Sequence, residues 1–238
     1  MTGEDPASTA ASAPEPADAR SPVHALGVGP GSPEYLTGRT RDLLDAADIV
    51  VGFSTVIDVV RPVTDATLLE CSYDDQEDTL AAFADRVSAG GTGVAVLMGD
   101  PSVSGYQFLG RIERAVDRPV RVVPGVSSIQ VAAARARTPL ESTTFVTLHR
   151  RGPPDAALDR LVRDVGDRHL LVLPRPYDLM PPDVATHLLD AGADPGLSAL
   201  VGERLTLADE RITRTTLGDL ATVEAAFSDL SVLVVRRG

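Results

Sequence analysis

Short apolar runs alternate with longer segments of helical period from Val23 to the end of the chain, and this alternation constrains the fold more than any other feature. Such a pattern is typical of βαβ units, in which a helix connects neighbouring strands of a parallel sheet. A polar stretch with a proline interrupts it at 137–140. The sequence therefore predicts an α/β protein with two domains, residues 22–138 and 139–238.

The first domain is predicted to contain strands near 23–27, 48–51, 67–70, 93–98 and 120–123, with helices near 34–46, 76–89, 104–116 and 127–136. The second is predicted to contain strands near 144–148, 170–173, 197–201, 209–216 and 231–235, with helices near 155–163, 181–190 and 217–226. Residues 211–216 alternate polar and apolar side chains, which indicates one solvated face, and we expect the last two strands to be antiparallel. The expected fold is a mostly parallel five-stranded sheet followed by a mixed five-stranded sheet.

Composition limits the compartment and the partners. Cys71 is the single cysteine, so it has no disulfide partner and no spaced ligands for a metal site. Residues 1–21 are mainly Ala, Pro, Ser, Glu and Asp, which predicts a disordered tail and not a secretory signal. Because no apolar run is long enough to span a bilayer, we expect a cytoplasmic protein without membrane contact.

The charge is strongly acidic. The formal net charge is −12, and all 22 basic residues are arginines. Such a surface repels nucleic acid and stays dissolved at high ionic strength, where salt screens the repulsion between carboxylates. A salt-loving cytoplasm explains this balance, and so does a GC-rich genome that encodes Arg in place of Lys.

Three predicted strand ends carry loops that suit a ligand. They are the glycine-rich segment 26–33, the turn Gly99-Asp100-Pro101 and the segment 124–128. Ligands of open α/β sheets bind outside the carboxyl ends of the strands, so the loops predict a small-molecule site. A dinucleotide fingerprint is not met, because Ser32 replaces its third glycine and Gly52 its acidic residue.

Each loop also has a purely structural interpretation. The glycines form a tight turn, Asp100 stabilises a turn, and Ser127 caps a helix. In the functional interpretation, the glycine loop brings backbone N–H groups and a helix amino terminus close to a ligand, and Asp100 offers it a carboxylate.

In this order and spacing the three loops resemble those of the tetrapyrrole (corrin/porphyrin) methylases, which use S-adenosylmethionine. The resemblance extends from about Val23 to the carboxyl terminus. Within the family, segments 124–135, 148–150, 202–205 and 209–212 are most similar to enzymes that methylate carbon 5 of (cobalt-)precorrin-7 in cobalamin biosynthesis.

The resemblance implies that S-adenosylmethionine lies folded between two domains. The residues expected to contact it are Gly29, Pro30, Asp100, Val103, Ser128, Ile129 and Leu173, with Gly202 or its neighbour Glu203. It also implies a corrinoid substrate, a homodimer, and a separate enzyme that methylates carbon 15 and decarboxylates a side chain.

Methyl transfer from a sulfonium depends mainly on alignment of the reacting atoms, so we expect no essential general base. His149, at a predicted strand end, is the candidate for a proton-transfer role, and a structural role is also open. The substrate carries many carboxylates, and arginines bind carboxylates in a bidentate manner. Arg150, Arg151 and Arg175 are the predicted substrate-binding residues.

Three alternatives remain open. A related methylase with the same loops would act on uroporphyrinogen, an earlier precorrin, ribosomal RNA or the diphthamide precursor. A nicotinamide-dependent oxidoreductase would use the glycine loop for its dinucleotide. A noncatalytic partner of the carbon-15 enzyme would not transfer methyl groups by itself.

Overall fold

The structure is a computed structural model that describes residues 5, 8, 10, 22–149, 152–176 and 178–238. The predicted disordered tail, residues 1–21, therefore lies outside the described residues except for positions 5, 8 and 10. Two compact units divide between Ser127 and Ser128, ahead of the boundary expected at 138. The helix that follows Ser127 belongs to the second unit because it packs on two strands of that unit.

In the described part of the first unit, five strands form one parallel sheet with the order β3-β2-β4-β1-β5. The strands are β1 (Val23–Gly27), β2 (Ile49–Phe53), β3 (Thr67–Cys71), β4 (Gly93–Leu97) and β5 (Val120–Val123). The α-helices are α1 (Gly38–Asp45), α2 (Ser54–Val60), α3 (Gln76–Ser88) and α4 (Tyr106–Ala115). The expected parallel sheet is confirmed.

The helices cover both faces of this sheet. Apolar side chains of α1 and α2 form a core with one face, and those of α3 and α4 form a core with the other. The chain therefore leaves β1 toward one face and leaves the neighbouring strand β4 toward the opposite face. This is a topological switch point, the place where open α/β sheets bind ligands.

Two details of the first unit differ from the expectation. The glycine-rich loop leads into a 3-10 turn, Pro33–Tyr35, and α1 begins only after Thr37, whose hydroxyl accepts a hydrogen bond from Thr40 N at 3.1 Å. The expected helix opening at Glu34 is wrong, so no α-helix amino terminus follows this loop directly. Helix α2 was not predicted because most of its residues are β-branched, yet burial of four of them favours the helix.

The second unit contains the mixed sheet, with the order β6-β7-β10-β8-β9 among its described residues. Its elements are α5 (Ser128–Ala136), β6 (Thr143–Thr147), α6 (Asp155–Asp164), β7 (His169–Leu173), α7 (Pro181–Asp190), β8 (Ser198–Glu203), β9 (Arg211–Thr216), α8 (Leu217–Ala221) and β10 (Ser231–Val235). β6 and β7 are parallel, β10 is antiparallel to β7 and β8, and β9 is antiparallel to β8. The predicted antiparallel strands are confirmed.

The helix predicted over 217–226 ends earlier, at Ala221. Thr222 donates both its backbone N–H and its hydroxyl to Asp219 O, at 3.1 and 2.8 Å. This tight i to i+3 turn replaces the next α-helical hydrogen bond and ends the helix.

Candidate active site

The carboxyl ends of β1, β4 and β5 meet in the first unit with almost no space between their backbones. A Cβ atom on Gly27 would lie 2.6 Å from both Gly125 N and Gly99 O, distances that real Cβ atoms do not adopt. Gly125 faces the same restriction from Gly27 and Gly99. Glycine is thus required at positions 27 and 125 by close backbone approach.

Gly29 and Gly99 join the two loops at the switch point through their backbones. Gly99 N donates to Gly29 O at 2.7 Å, and Gly29 N donates to Gly99 O at 3.3 Å. Gly29 also has a φ of +80°, a conformation that side chains disfavour. The N–H of Gly29 is therefore taken up by Gly99 O, and a contact of Gly29 with the cofactor stays a prediction.

Asp100 connects the turn after β4 to the segment after β5. One carboxylate oxygen accepts hydrogen bonds from the backbone N–H of Ser102 at 2.8 Å and from the Ser102 hydroxyl. The other oxygen accepts one from Gly125 N at 3.1 Å. The turn-forming interpretation of Asp100 is thus what the structure shows, and a carboxylate with about four acceptor positions keeps capacity for a ligand donor.

The turn that holds Asp100 also positions Val103. The backbone N–H groups of Val103 and Ser104 both donate to Asp100 O at 3.0 Å, and Gly105, the N-cap of α4, follows with a φ of +102°. Val103 and Pro30, two of the expected contact residues, are both half-buried on this part of the unit. The expected first-unit residues therefore lie on the two loops joined at the switch point.

An aromatic cluster that was not predicted from the sequence lies at the same edge. Phe53 ends β2, and its ring centroid is 5.0 Å from that of Tyr73 and 5.1 Å from that of Phe108. Tyr73 is 84% exposed. One feature of the sequence could have indicated this cluster. Phe53 and Tyr73 each follow a predicted strand by two or three residues, in a chain with only 4% aromatic residues.

Cys71 ends β3 and is not a candidate nucleophile. The side chain is buried, and burial, aided by the nearby charge of Asp75, raises the pKa of its thiol to about 11. A protonated thiol in such surroundings is unreactive.

In the second unit, the parallel strands β6, β7 and β8 bring their carboxyl ends to one edge of the sheet. The backbone N–H of Leu148 donates to Leu173 O at 2.8 Å, which joins the ends of β6 and β7. His149 follows directly and is exposed, and Leu173 is half-buried. Gly202, near the end of β8, belongs to the same edge, so the structure brings together three of the predicted residues of this unit.

Arg175, a predicted substrate-binding residue, is engaged within the unit. Its guanidinium forms two hydrogen bonds with the carboxylate of Asp178, at 2.7 and 2.6 Å, and donates to Gly152 O at 3.2 Å. Asp178 thus occupies the bidentate face that a substrate carboxylate would use. The role of Arg175 in substrate binding stays a prediction.

Glu203 follows Gly202 and is a buried, paired carboxylate. It accepts two hydrogen bonds from Arg211, at 2.6 and 2.8 Å, and one from Ser228 N at 2.9 Å. Burial raises the pKa of the Glu203 carboxyl, but the hydrogen bonds from Arg211 and Ser228 outweigh it, so the pKa lies below its ordinary value. Glu203 therefore stays ionised and fixes the end of β8 to β9.

Two further ion pairs hold the connection between β8 and β9. Arg204 pairs with Asp209 at 2.5 Å, and Arg135 of α5 pairs with Glu210 at 2.8 Å. Arg204 has a φ of +49°, which is strained for a residue with a side chain. The segments 202–205 and 209–212, which carried part of the resemblance, are thus occupied by pairing with each other and with α5.

The remaining predicted residues lie at or beyond the ends of these elements. Ser128 and Ile129 are the first two residues of α5, and Ile129 is buried. Arg150 and Arg151 lie outside the described residues.

Over the described ranges, no three His, Cys, Asp or Glu side chains are grouped so that they could hold a metal ion. Nor does any helix within those ranges have both the length and the apolar character needed to cross a membrane.

Comparison with known sequences identifies relatives over most of the chain. Residues 22–221 match the model of the Tetrapyrrole (Corrin/Porphyrin) Methylases. A probable cobalt-precorrin-7 C(5)-methyltransferase of Methanocaldococcus jannaschii is 27% identical over 215 residues, which cover 89% of this chain and 96% of that protein. A uroporphyrinogen-III C-methyltransferase of Paracoccus denitrificans is 30% identical over 220 residues, covering 85% of this chain and 75% of that protein.

Solved structures share the fold. A cobalt precorrin-4 methyltransferase superimposes with a TM-score of 0.73 at 24% identity and covers 90% of this chain and 94% of its own. A uroporphyrin-III C-methyl transferase from Thermus thermophilus, complexed with S-adenyl homocysteine, superimposes with a TM-score of 0.70 at 24% identity, covering 91% and 92%. With a family match that spans most of its length and a fold shared with these structures, the chain is a member of the tetrapyrrole methylase family.

Proposed function

We propose that this protein is an S-adenosylmethionine-dependent C-methyltransferase that methylates carbon 5 of (cobalt-)precorrin-7. The observation that carries the proposal is the similarity to the Methanocaldococcus jannaschii protein, which extends over 96% of that relative. The loops joined at the switch point support methyl transfer at this edge, since they are where such a sheet binds its ligand.

The first unit supplies groups that fit S-adenosylmethionine. The Asp100 carboxylate keeps an acceptor position for a hydroxyl or ammonium donor, and Val103 offers an apolar surface one turn later. Crowding at Gly27 and Gly125 and the hydrogen bonds of Asp100 fix the backbone of this edge before a ligand arrives. Such preorganisation suits a reaction that depends on alignment.

The reaction itself needs one bond to form and one to break. The nucleophilic ring carbon attacks the methyl carbon in line with sulfur, and the electron pair of the carbon–sulfur bond returns to sulfur. The products are the methylated corrinoid and neutral S-adenosylhomocysteine. His149, exposed at the end of β6, is the proposed acceptor for any proton released afterwards.

A second candidate is methylation of uroporphyrinogen III, favoured by the 30% identity to the Paracoccus denitrificans enzyme. The deciding experiment offers the purified protein either (cobalt-)precorrin-7 or uroporphyrinogen III, together with S-adenosylmethionine carrying a 13C-labelled methyl group. We expect a mass gain of one labelled methyl group on precorrin-7 and a new methyl resonance at carbon 5. Methylation of uroporphyrinogen alone would replace the proposal by the second candidate.

The role of Asp100 is tested separately with Asp100→Asn and Asp100→Ala. Asn keeps one acceptor oxygen, for either Ser102 N or Gly125 N, and loses the negative charge, whereas Ala loses the charge and both acceptors. If the charge contacts S-adenosylmethionine, both variants weaken its binding in calorimetry by at least about tenfold, the value of one charge-assisted hydrogen bond. If only Ala weakens it, Asp100 acts by bracing the turn.

A further inference from the structure

Thr40, in the first turn of α1, has a hydroxyl that bonds outside its own helix. The side chain is fully buried, and its Oγ1 donates a hydrogen bond to Gly27 O at the end of β1, 3.3 Å away. At this third position of a helix, a Glu or Gln side chain commonly turns back to cap the helix. Here a short side chain takes that place and connects α1 to the strand that carries the glycine-rich loop.

Thr37, the N-cap of α1, fixes the direction of these hydrogen bonds. Its hydroxyl oxygen accepts a hydrogen bond from Thr40 N at 3.1 Å and lies 2.9 Å from Thr40 Oγ1. A hydroxyl has one proton to donate, and Thr40 gives its proton to Gly27 O, a carbonyl oxygen that can only accept. Thr37 is therefore the donor between the two hydroxyls, and the hydrogen bonds run from Thr37 to Thr40 and on to Gly27.

The carbonyl group of Gly27 is in close contact with Gly125. A Cβ atom on Gly125 would lie 2.7 Å from both the carbonyl carbon and the carbonyl oxygen of Gly27, so a shift of this group would displace Gly125. Gly125 N in turn donates to the Asp100 carboxylate at 3.1 Å. A continuous series of contacts within the first unit thus joins α1 to Asp100.

We propose that Thr40 is a positioning residue of the candidate active site. Its hydroxyl fixes the Gly27 carbonyl and, through Gly125, the orientation in which the Asp100 carboxylate receives S-adenosylmethionine. Because methyl transfer depends on alignment, a small displacement of this edge has a measurable effect. The part that concerns S-adenosylmethionine rests on the proposed function, and the part that concerns the backbone does not.

The first test removes the hydroxyl but keeps the shape of the side chain. Thr40→Val takes the α1 donor from Gly27 O, whereas Thr40→Ser keeps a hydroxyl at the same place. We expect the Gly125 amide to exchange about two- to tenfold faster in Thr40→Val, the effect of one ordinary hydrogen bond on local opening, and to return close to its original rate in Thr40→Ser. NMR spectroscopy follows this single amide. An unchanged Gly125 rate in Thr40→Val would overturn the proposal.

A matched control lies at the other end of the same helix. Thr64 donates its hydroxyl to Leu44 O at 3.0 Å and accepts a hydrogen bond from Ala66 N at 3.2 Å, so it also ties α1 to another segment. Thr64→Val removes the same kind of contact from α1 but leaves the Gly27 carbonyl untouched. Equal acceleration of Gly125 exchange in Thr64→Val and Thr40→Val would mean that only the general stability of α1 matters, which contradicts the proposal.

A variant of Thr37 separates positioning from stability. Thr37→Asp keeps an oxygen that caps α1, and Asp is at least as good an N-cap as Thr. A carboxylate cannot donate to Thr40 and attracts the proton of its hydroxyl, which is then withdrawn from Gly27 O. We expect faster Gly125 exchange in Thr37→Asp at an unchanged or higher urea midpoint. The original Gly125 rate would show that the two hydroxyls do not hold the carbonyl.

Calorimetry of S-adenosylmethionine binding tests the active-site part. The dissociation constant should rise about two- to tenfold in Thr40→Val and Thr37→Asp and stay close to its original value in Thr40→Ser and Thr64→Val. In a chain that already carries Asp100→Asn, Thr40→Val should add little, because both substitutions act on the same carboxylate.

Unchanged dissociation constants despite faster Gly125 exchange would overturn the active-site part. If the unsubstituted chain does not bind S-adenosylmethionine, the proposed function fails, and Gly125 exchange still decides whether Thr40 holds the backbone.

Discussion

The two units hold the carboxyl ends of their strands together by different kinds of contact. In the first unit the strand ends are held by backbone: Gly27 and Gly125 are in contact, and Gly29 pairs with Gly99. In the second unit a backbone hydrogen bond joins β6 and β7, but the end of β8 is held to β9 by a charged pair, Glu203 with Arg211. The close backbone contacts of the first unit leave no room for an added atom. The ion pair of the second unit tolerates a change in side-chain shape, but its strength depends on protonation and salt.

The largest expected effect is that of Gly27→Ala. Its new Cβ would lie 2.6 Å from two backbone atoms that cannot rotate away, so we expect a loss of at least about 3 kcal/mol in the free energy of unfolding. Urea denaturation followed by circular dichroism measures it, since the chain has no tryptophan. Gly38→Ala is the matched control, because nothing lies within 4 Å of its added Cβ and the helix should gain up to about 1 kcal/mol. Equal free energies of unfolding for Gly27→Ala and Gly38→Ala would mean that the backbones around Gly27 are not in close contact.

Glu203→Gln should have the next largest effect. The substitution keeps the size of the side chain but removes the charge from a buried group with three hydrogen bonds, and we expect a loss of about 2 kcal/mol. Arg211 is 61% exposed and can return to water, which limits the cost. Glu224→Gln, at an exposed position of the same unit, should leave the urea midpoint unchanged. If Glu203→Gln left the free energy of unfolding unchanged, the shape of the side chain alone would hold the end of β8.

Acid should weaken the ion pairs of Glu203 and Glu210 in particular. The pKa of Glu203 is below its ordinary value, and so is that of Glu210, whose largest cause is the hydrogen bond from Arg135. The unfolded chain then binds protons more readily than the folded one, so this stability is present above the ordinary pKa of 4.5 and is lost as pH falls below it.

The check is a series of unfolding measurements between neutral and acid pH. The loss of stability in acid should be smaller in Glu203→Gln than in the unsubstituted chain, and unchanged in Gly38→Ala. If stability fell with pH equally in Glu203→Gln and in Gly38→Ala, Glu203 would not be a cause of the loss in acid.

The smallest effect is expected at an exposed pair. Arg204 and Asp209 lie 2.5 Å apart, but their side chains are 43% and 63% exposed, so water and salt compete for both charges. Arg204→Gln should change the unfolding free energy by less than about 0.5 kcal/mol. A change as large as that of Glu203→Gln would mean that the whole connection between β8 and β9 acts as one ionic network.

Much of the first unit could be predicted from sequence because its signals are local. The strands β1, β3, β4 and β5 lie within one or two residues of their expected positions, since continuous apolar runs are typical of buried parallel strands. The helix α2 could not be predicted, because its β-branched residues disfavour a helix and only burial against the sheet favours it. The unit boundary was equally hidden, since packing of α5 decides it.

The sequence predicted which loops lie together at one sheet edge but not how their atoms are bonded. The loops at 26–33 and 99–101 and the segment 124–128 were each visible as turns, and the rule for open sheets placed them at one edge. Which groups remain for a ligand was not visible, because Gly99 accepts the N–H of Gly29 and Gly125 donates to Asp100.

The sequence by itself determined the α/β class, the order of the strands, the three loops at strand ends and the acidic, arginine-only charge. These follow from periodicity, turn residues and composition, which act over a few neighbouring residues. Only the tertiary structure decided that Gly27 meets Gly125, that Glu203 is neutralised by Arg211, and that the Thr40 hydroxyl reaches Gly27. Such contacts join residues far apart along the chain, and their partners are selected by packing and burial once the whole unit has folded.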